Sequence, residues 1–319
     1  MYRKLRLWFA GLVFITTTVT GFGQFSAAMS RPDVTLIQNH EDTLATLSYG
    51  TLNADLADDR LYACHEMIPR LVKALKVPNS FQYKFPRMET VSIQYPADSS
   101  FRIFTWQLKV NDADYRYYGA IQWNTPDLKL VPLVDRSMAL ENPTYSTTTP
   151  DKWYGALYYN IKSFTSGKGE KMYLLFGYDA YDVNDHRKII DVMTIANGQV
   201  KFGAPVFVAD KSTPKSRIIY EYSADAGVKV NFDENHDMIV CDHLQQIQGI
   251  LPGQGKTMVP DGSYEGFKLE KGIWKYIADV FDSGNSKNQR AFVTKKTEVT
   301  QPENSATDTI EKKTKRKKN

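Results

Sequence analysis

The chain has 319 residues, with 40 basic and 36 acidic side chains, only 2 cysteines, and 13% aromatic residues, 19 of them tyrosine. Setting aside 3 basic residues in positions 1–23, and 8 basic and 4 acidic residues in positions 294–319, leaves 29 basic against 32 acidic residues. A nucleic-acid-binding domain carries positive charge on the fold itself, so this slightly acidic body disfavours that class.

Residues 1–23 have the layout of a secretory signal peptide: Arg3, Lys4 and Arg6, then the apolar run Leu7 to Ile15, then Thr-rich and small residues. Cleavage is expected after Gly23, with Ala27 or Ala28 as alternatives, and a retained anchor is the competing reading. No cysteine follows the apolar run, which argues against a lipoprotein. The expected address is therefore exported, periplasmic or extracellular. Residues 24–98 form an N-terminal helical segment and linker. Within 41–77, leucines at 44, 47, 52 and 56, then Leu61, Cys64, Ile68, Leu71 and Leu75, recur at helical spacing and predict a two-helix hairpin. Asp58 is expected to cap the second helix, and Pro69 to kink or split it.

Residues 99–293 change to short runs rich in Tyr, Phe, Trp, Ile and Val, separated by Gly, Asn, Asp and Pro. About twelve strands with short connections follow. The clearest hairpin turns at Asn197-Gly198, because a type I′ turn needs positive φ at both central residues. Others are expected through Glu270, Lys271 and Gly272, and between Arg217–Tyr222 and Val228–Phe232. The fold class is mainly β: an antiparallel sandwich, barrel or propeller-like domain preceded by a short helical segment. Tyr117 to Asn124 is echoed by Trp153 to Asn160, 36 residues later, a period near that of a propeller blade. Residues 294–319, closing on Lys-Lys-Thr-Lys-Arg-Lys-Lys-Asn, are expected to be a disordered basic tail.

Lys171 to Gly177, Arg187 to Val192, Phe202 to Phe207, Arg217 to Ser223 and Asp261 to Phe267 together resemble an uncharacterised family of exported proteins of Bacteroidota-type bacteria. The likeness spans roughly 150–280. It implies an envelope or extracellular address and carries over no activity, cofactor or catalytic residue.

Each candidate for chemistry competes with a plainer explanation. Asp179, Asp182 and Asp185, with Asn184, offer part of the oxygen shell that a hard cation needs; Asp/Asn turn chemistry explains the segment without a metal and is preferred. Asp233, Glu234 and Asp237 receive the same treatment. Cys64, His65, Cys241 and His243 are of the right types for a soft metal, but adjacent helical residues point about 100° apart. A disulfide between Cys64 and Cys241 would close a loop of roughly 177 residues and contribute roughly 4–5 kcal/mol; two buried free thiols are the alternative. Gly253 to Thr257 lacks the spacing of a phosphate loop. Asp261 and Glu265 are the first carboxylate pair for glycoside chemistry, against ordinary hairpin chemistry. Trp106, Tyr118, Trp123, Trp153, Tyr158 and Tyr181 would form an aromatic binding surface if exposed, and core packing if not.

The sequence thus predicts an exported, non-catalytic envelope protein with a binding or structural role. Its partner would be an envelope protein or polysaccharide, with no cofactor, no nucleic acid, and membrane contact at most through the basic tail. The alternative is an envelope hydrolase acting on glycan or peptide through paired carboxylates.

Overall fold

Residues 27–209 and 212–281 are described by the structure, a computed structural model. The expected signal peptide up to Gly23 and the expected tail from 294 lie outside the described residues. Helix α1 (Arg31–Asn53) opens on Ser30, whose hydroxyl accepts a hydrogen bond from Asp33 N at 3.3 Å. That cap, with Pro32 in the first turn, starts the helix well before the leucine spacing does. In α2 (Ala57–Leu75) the N-cap is Leu56, so Asp58 sits in the first turn instead of capping it. There its charge faces the positive end of the helix dipole. Pro69 lies inside α2 without splitting it, because Met67, Leu71 and Leu75 on either side are buried in one hydrophobic cluster that holds the turn in place.

Fourteen strands follow among the described residues, mostly in antiparallel pairs. The first sheet runs in sequence order through β1 (Ser92–Gln94), β2 (Phe101–Lys109), β3 (Tyr115–Trp123) and β4 (Leu130–Val134). The second comprises β5 (Leu157–Thr165), β6 (Lys171–Asp179), β7 (Asp185–Ala196) and β8 (Gln199–Phe202), joined, beyond β9 (Phe207–Val208), by β10 (Ile218–Ser223). Its order is β10-β7-β6-β5, with β8 on β7. The third, ordered β11-β12-β13-β14-β9, contains β11 (Val230–Asp233), β12 (Met238–Gln248), β13 (Lys256–Glu270) and β14 (Ile273–Ile277). Only β14 and β9 pair in parallel among the described strands. The architecture is mainly β and sandwich-like, with open sheets in place of a closed barrel.

Strand alternation explains the layering. Phe104, Trp106 and Leu108 of β2 pack with Ile37, Leu44, Met67 and Leu71 of the helices. Phe101 and Ile103, on the opposite face, meet Tyr173, Leu175, Ile189 and Met193 of the second sheet. Leu174, Phe176, Ile190 and Val192 then face Val230, Ile239, Phe267 and Trp274 of the third. The order is helices, first sheet, second sheet, third sheet.

The Asn197-Gly198 turn forms as expected, with φ of 52° and 75° and Ala196 opposite Gln199. Lys271 and Gly272 likewise have positive φ, making a two-residue turn where three residues were expected. The third expected hairpin is corrected: β10 pairs with β7, and β11 pairs with β12 in a different sheet. Ala224 to Gly227 therefore carries the chain across the sandwich, since Tyr222 and Val230 bury against the same core from opposite sides. The 36-residue echo is no structural repeat, because Gly119 lies within β3 opposite Thr105, whereas Gly155 precedes β5.

Candidate functional site

Opposite His243 of β12, three residues of β13 bulge outward, since Asp242 pairs with Tyr264 while Leu244 pairs with Pro260. Asp261, Gly262 and Ser263 are exposed as a result. Regular pairing resumes at Tyr264, and Glu265 then shares the inward face with Phe267, directly opposite Cys241. Gly266 permits this: a Cβ there would stand 2.1 Å from the Ile239 carbonyl oxygen.

Glu265 is half-buried and links two sheets. Tyr220 of β10 donates to Oε1 at 2.7 Å, and Tyr276 of β14 donates to Oε2 at 2.7 Å. Burial pushes both phenols above their usual range, and the carboxylate itself adds to the rise. Both hydroxyls therefore remain protonated donors. Around them lies a half-open groove of about 300 Å³ whose lining includes Phe207, Lys215, Tyr220, Glu265, Phe267 and Tyr276. Phe207 meets Phe267 edge-on at 5.5 Å, and Phe267 meets Tyr276 at 5.7 Å. Glu265 is the one carboxylate among the described lining residues. No cationic nitrogen of the described residues approaches it within ion-pair distance.

Behind the groove, on the same face of the second sheet, Lys188 pairs across the ladder with Tyr220. Its ammonium lies 4.9 Å from the Tyr159 ring and 5.0 Å from the Tyr178 ring. Burial lowers it to about 8, against the attraction of Asp242. Cys241 is fully buried in the same core, and burial raises its thiol well above the ordinary range, leaving it inert.

Several residues singled out from the sequence occupy other places. Asp261 is exposed and bonded to Ser263 and, at 2.7 Å, to His243. Those bonds, from Ser263 first, hold its carboxyl at about 2, so it is a carboxylate and not a proton donor at neutral pH. It shares no partner with Glu265, and the two do not form a convergent acid pair.

Asp179, Asp182 and Asp185 are each committed elsewhere. Asp179 accepts from Tyr181 N, Asp182 from Asn184 N and Asp185 N, and Asp185 from Thr257. Asp182 thus makes the local turn that its residue type favours. Asp233 accepts from Asn235 N and pairs with His236, and Glu234 pairs with Lys162. Among the described residues no group of three or more metal-ligating side chains converges.

Cys64 packs between the helices and the first sheet, and Cys241 between the second and third sheets, both as free thiols. The disulfide alternative is corrected, because whole layers separate the two. The aromatic surface is corrected also. Trp106, Trp153 and Tyr158 are buried, Trp106 stacks on Tyr118, and Trp153 donates to the Tyr158 hydroxyl at 2.7 Å. Trp123 packs edge-on against Phe101, and Tyr181 lies beneath the Arg187 guanidinium at 3.2 Å.

Of the groove, sequence reasoning reached only Glu265. Tyr220 was legible as an alternating residue of a strand, but nothing local brings β10 against β13. Compared with family models, curated proteins and solved structures, the chain has no match.

Proposed function

We propose that the protein is an exported, non-catalytic binding protein of the cell envelope, with its ligand seated in the groove between β10, β13 and β14. The observation that supports this reading is the fixed Glu265 carboxylate, set among aromatic rings with both oxygens already accepting from tyrosines. Such a group is a recognition element. General acid–base work needs a carboxyl free to exchange a proton with substrate, and paired-carboxylate hydrolysis needs a second acid across the sugar. Asp261 does not supply it. The secretory signal expected at residues 1–23 and the resemblance over 150–280 support the envelope address.

The test is retention of the mature chain, residues 24–319, on purified cell-wall polysaccharides, beside Ala209→Trp, which fills the groove from its half-exposed rim, and beside a copy lacking residues 294–319. Retention that survives loss of the tail and falls at least tenfold in Ala209→Trp is expected. Retention indifferent to Ala209→Trp, or lost with the tail alone, would overturn the reading.

A further inference from the structure

Asparagine is followed by glycine once in the chain, at Asn197-Gly198. The pair forms the exposed tip of the β7–β8 hairpin. Among the described residues no hydrogen bond holds the Asn197 side chain, and no backbone carbonyl accepts from the Gly198 amide. A Cβ on Gly198 would meet nothing within 4 Å, so the space beside that amide is open. Other asparagines sit differently. After Asn184, the Asp185 amide donates to Asp182 Oδ1 at 2.9 Å. After Asn79, the Ser80 amide donates to the Val77 carbonyl at 3.1 Å, and after Asn235 the His236 amide donates to the Asp233 carboxylate. Asn142 precedes a proline, which has no amide proton. Asp261-Gly262 shares the following glycine, but its side chain is an ionised carboxylate held by Ser263 and His243.

We infer that Asn197 is a site of spontaneous covalent modification, converting to aspartate and isoaspartate through a cyclic imide. The Gly198 amide nitrogen bonds to Asn197 Cγ, and the side-chain nitrogen leaves as ammonia, carrying the proton that the amide gives up. Water then opens the ring. Cleavage of the bond from nitrogen to Cγ gives aspartate, and cleavage of the bond from nitrogen to the Asn197 main-chain carbonyl carbon gives isoaspartate. The step is intramolecular, so the reacting atoms are already together, and glycine lacks the Cβ that would crowd the ring. Isoaspartate adds a methylene to the backbone at a turn that needs positive φ at both residues. It therefore removes the turn that sets Ala196 opposite Gln199 and Ile195 opposite Val200. The consequence falls on β8, whose Val200 and Phe202 are buried between the first and second sheets.

The experiment incubates the mature protein at pH 8, folded and in urea, and follows the tryptic peptide 189–201, in which Asn197 is the only asparagine, by chromatography and mass spectrometry. In the folded protein Asn197 is expected to lose its amide at least tenfold faster than Asn184 or Asn235, and at a rate within tenfold of that in urea. Gly198→Ala should slow the loss at least tenfold in both conditions. The isoaspartyl fraction should be cut after Lys201 by trypsin under native conditions at least threefold faster than the unmodified protein. Loss from folded Asn197 no faster than from Asn235 would overturn the inference. So would a folded rate more than tenfold below that in urea, since the turn would then prevent ring closure. Loss unchanged by Gly198→Ala in urea, where folding plays no part, would overturn the Gly198 amide as the nucleophile. Equal cutting after Lys201 would overturn the consequence for β8.

Discussion

The two faces of the second sheet treat charge in opposite ways. On the side that meets the first sheet, Asp191 and Arg217 are fully buried 2.9 Å apart, and Arg217 also donates to the Pro143 carbonyl while Asp191 accepts from Val192 N. On the side that meets the third sheet, Lys188 lies between tyrosine rings with the Asp242 charge attracting it from beyond ion-pair distance, and Glu265 is held by tyrosine hydroxyls. Strand chemistry is the same on both sides, since alternate residues of β7 supply Asp191 to one gap and Lys188 to the other. What differs is closure. A dry, closed core tolerates a charge only when its partner is built in, whereas a gap that opens into a groove retains unmatched charge that a ligand can complement.

The largest expected effect lies on the closed side. Asp191→Ala leaves Arg217 charged and buried without its partner, and should cost about 3–5 kcal/mol in urea denaturation. Replacing both, as Asp191→Leu with Arg217→Met, should recover most of that loss. A single-mutant cost under about 1 kcal/mol would mean that water reaches this gap, and the contrast would collapse.

On the open side the sign reverses. Folded Lys188 titrates at about 8, below about 10.4 for a free lysine, so the unfolded chain holds that proton more tightly. The penalty is full below pH 8, shrinks as pH rises, and is gone above the unfolded value. Lys188→Met should therefore stabilise the protein by about 1–2 kcal/mol at pH 7, with the gain vanishing near pH 10.5. Denaturation of both proteins across that range checks it; a pH-independent difference would show that packing, not charge, sets the effect.

The smallest effect calibrates the other two from outside both gaps. Gly198 has φ of 75°, and a Cβ there meets nothing within 4 Å. Gly198→Ala should cost only the left-handed backbone strain, about 1 kcal/mol by thermal or chemical unfolding.

Local pattern made much of the fold legible. The leucine spacing located the helical hairpin, and the Asn197-Gly198 pair marked the turn between β7 and β8 because few dipeptides accept positive φ twice. It failed where neighbours in sequence part company in space: Ile218–Ser223 and Val230–Asp233 looked like one hairpin but lie in facing sheets. The aromatic surface failed for a related reason. An alternating strand does not disclose whether its outward face meets solvent or another sheet, and in a layered molecule Trp106, Trp153 and Tyr158 all meet other layers.

The groove marks the same division. The sequence by itself determined the strands, the Asn-Gly turn and the presence of a carboxylate at Glu265, because each depends on dihedral preference and alternation within a few residues. Only the tertiary structure decided that Tyr220 and Tyr276 hold that carboxylate, that Asp191 has a buried ion-pair partner and that Lys188 has none among the described residues. Those are contacts between strands distant along the chain, and their energies depend on which faces the layers close and which they leave open.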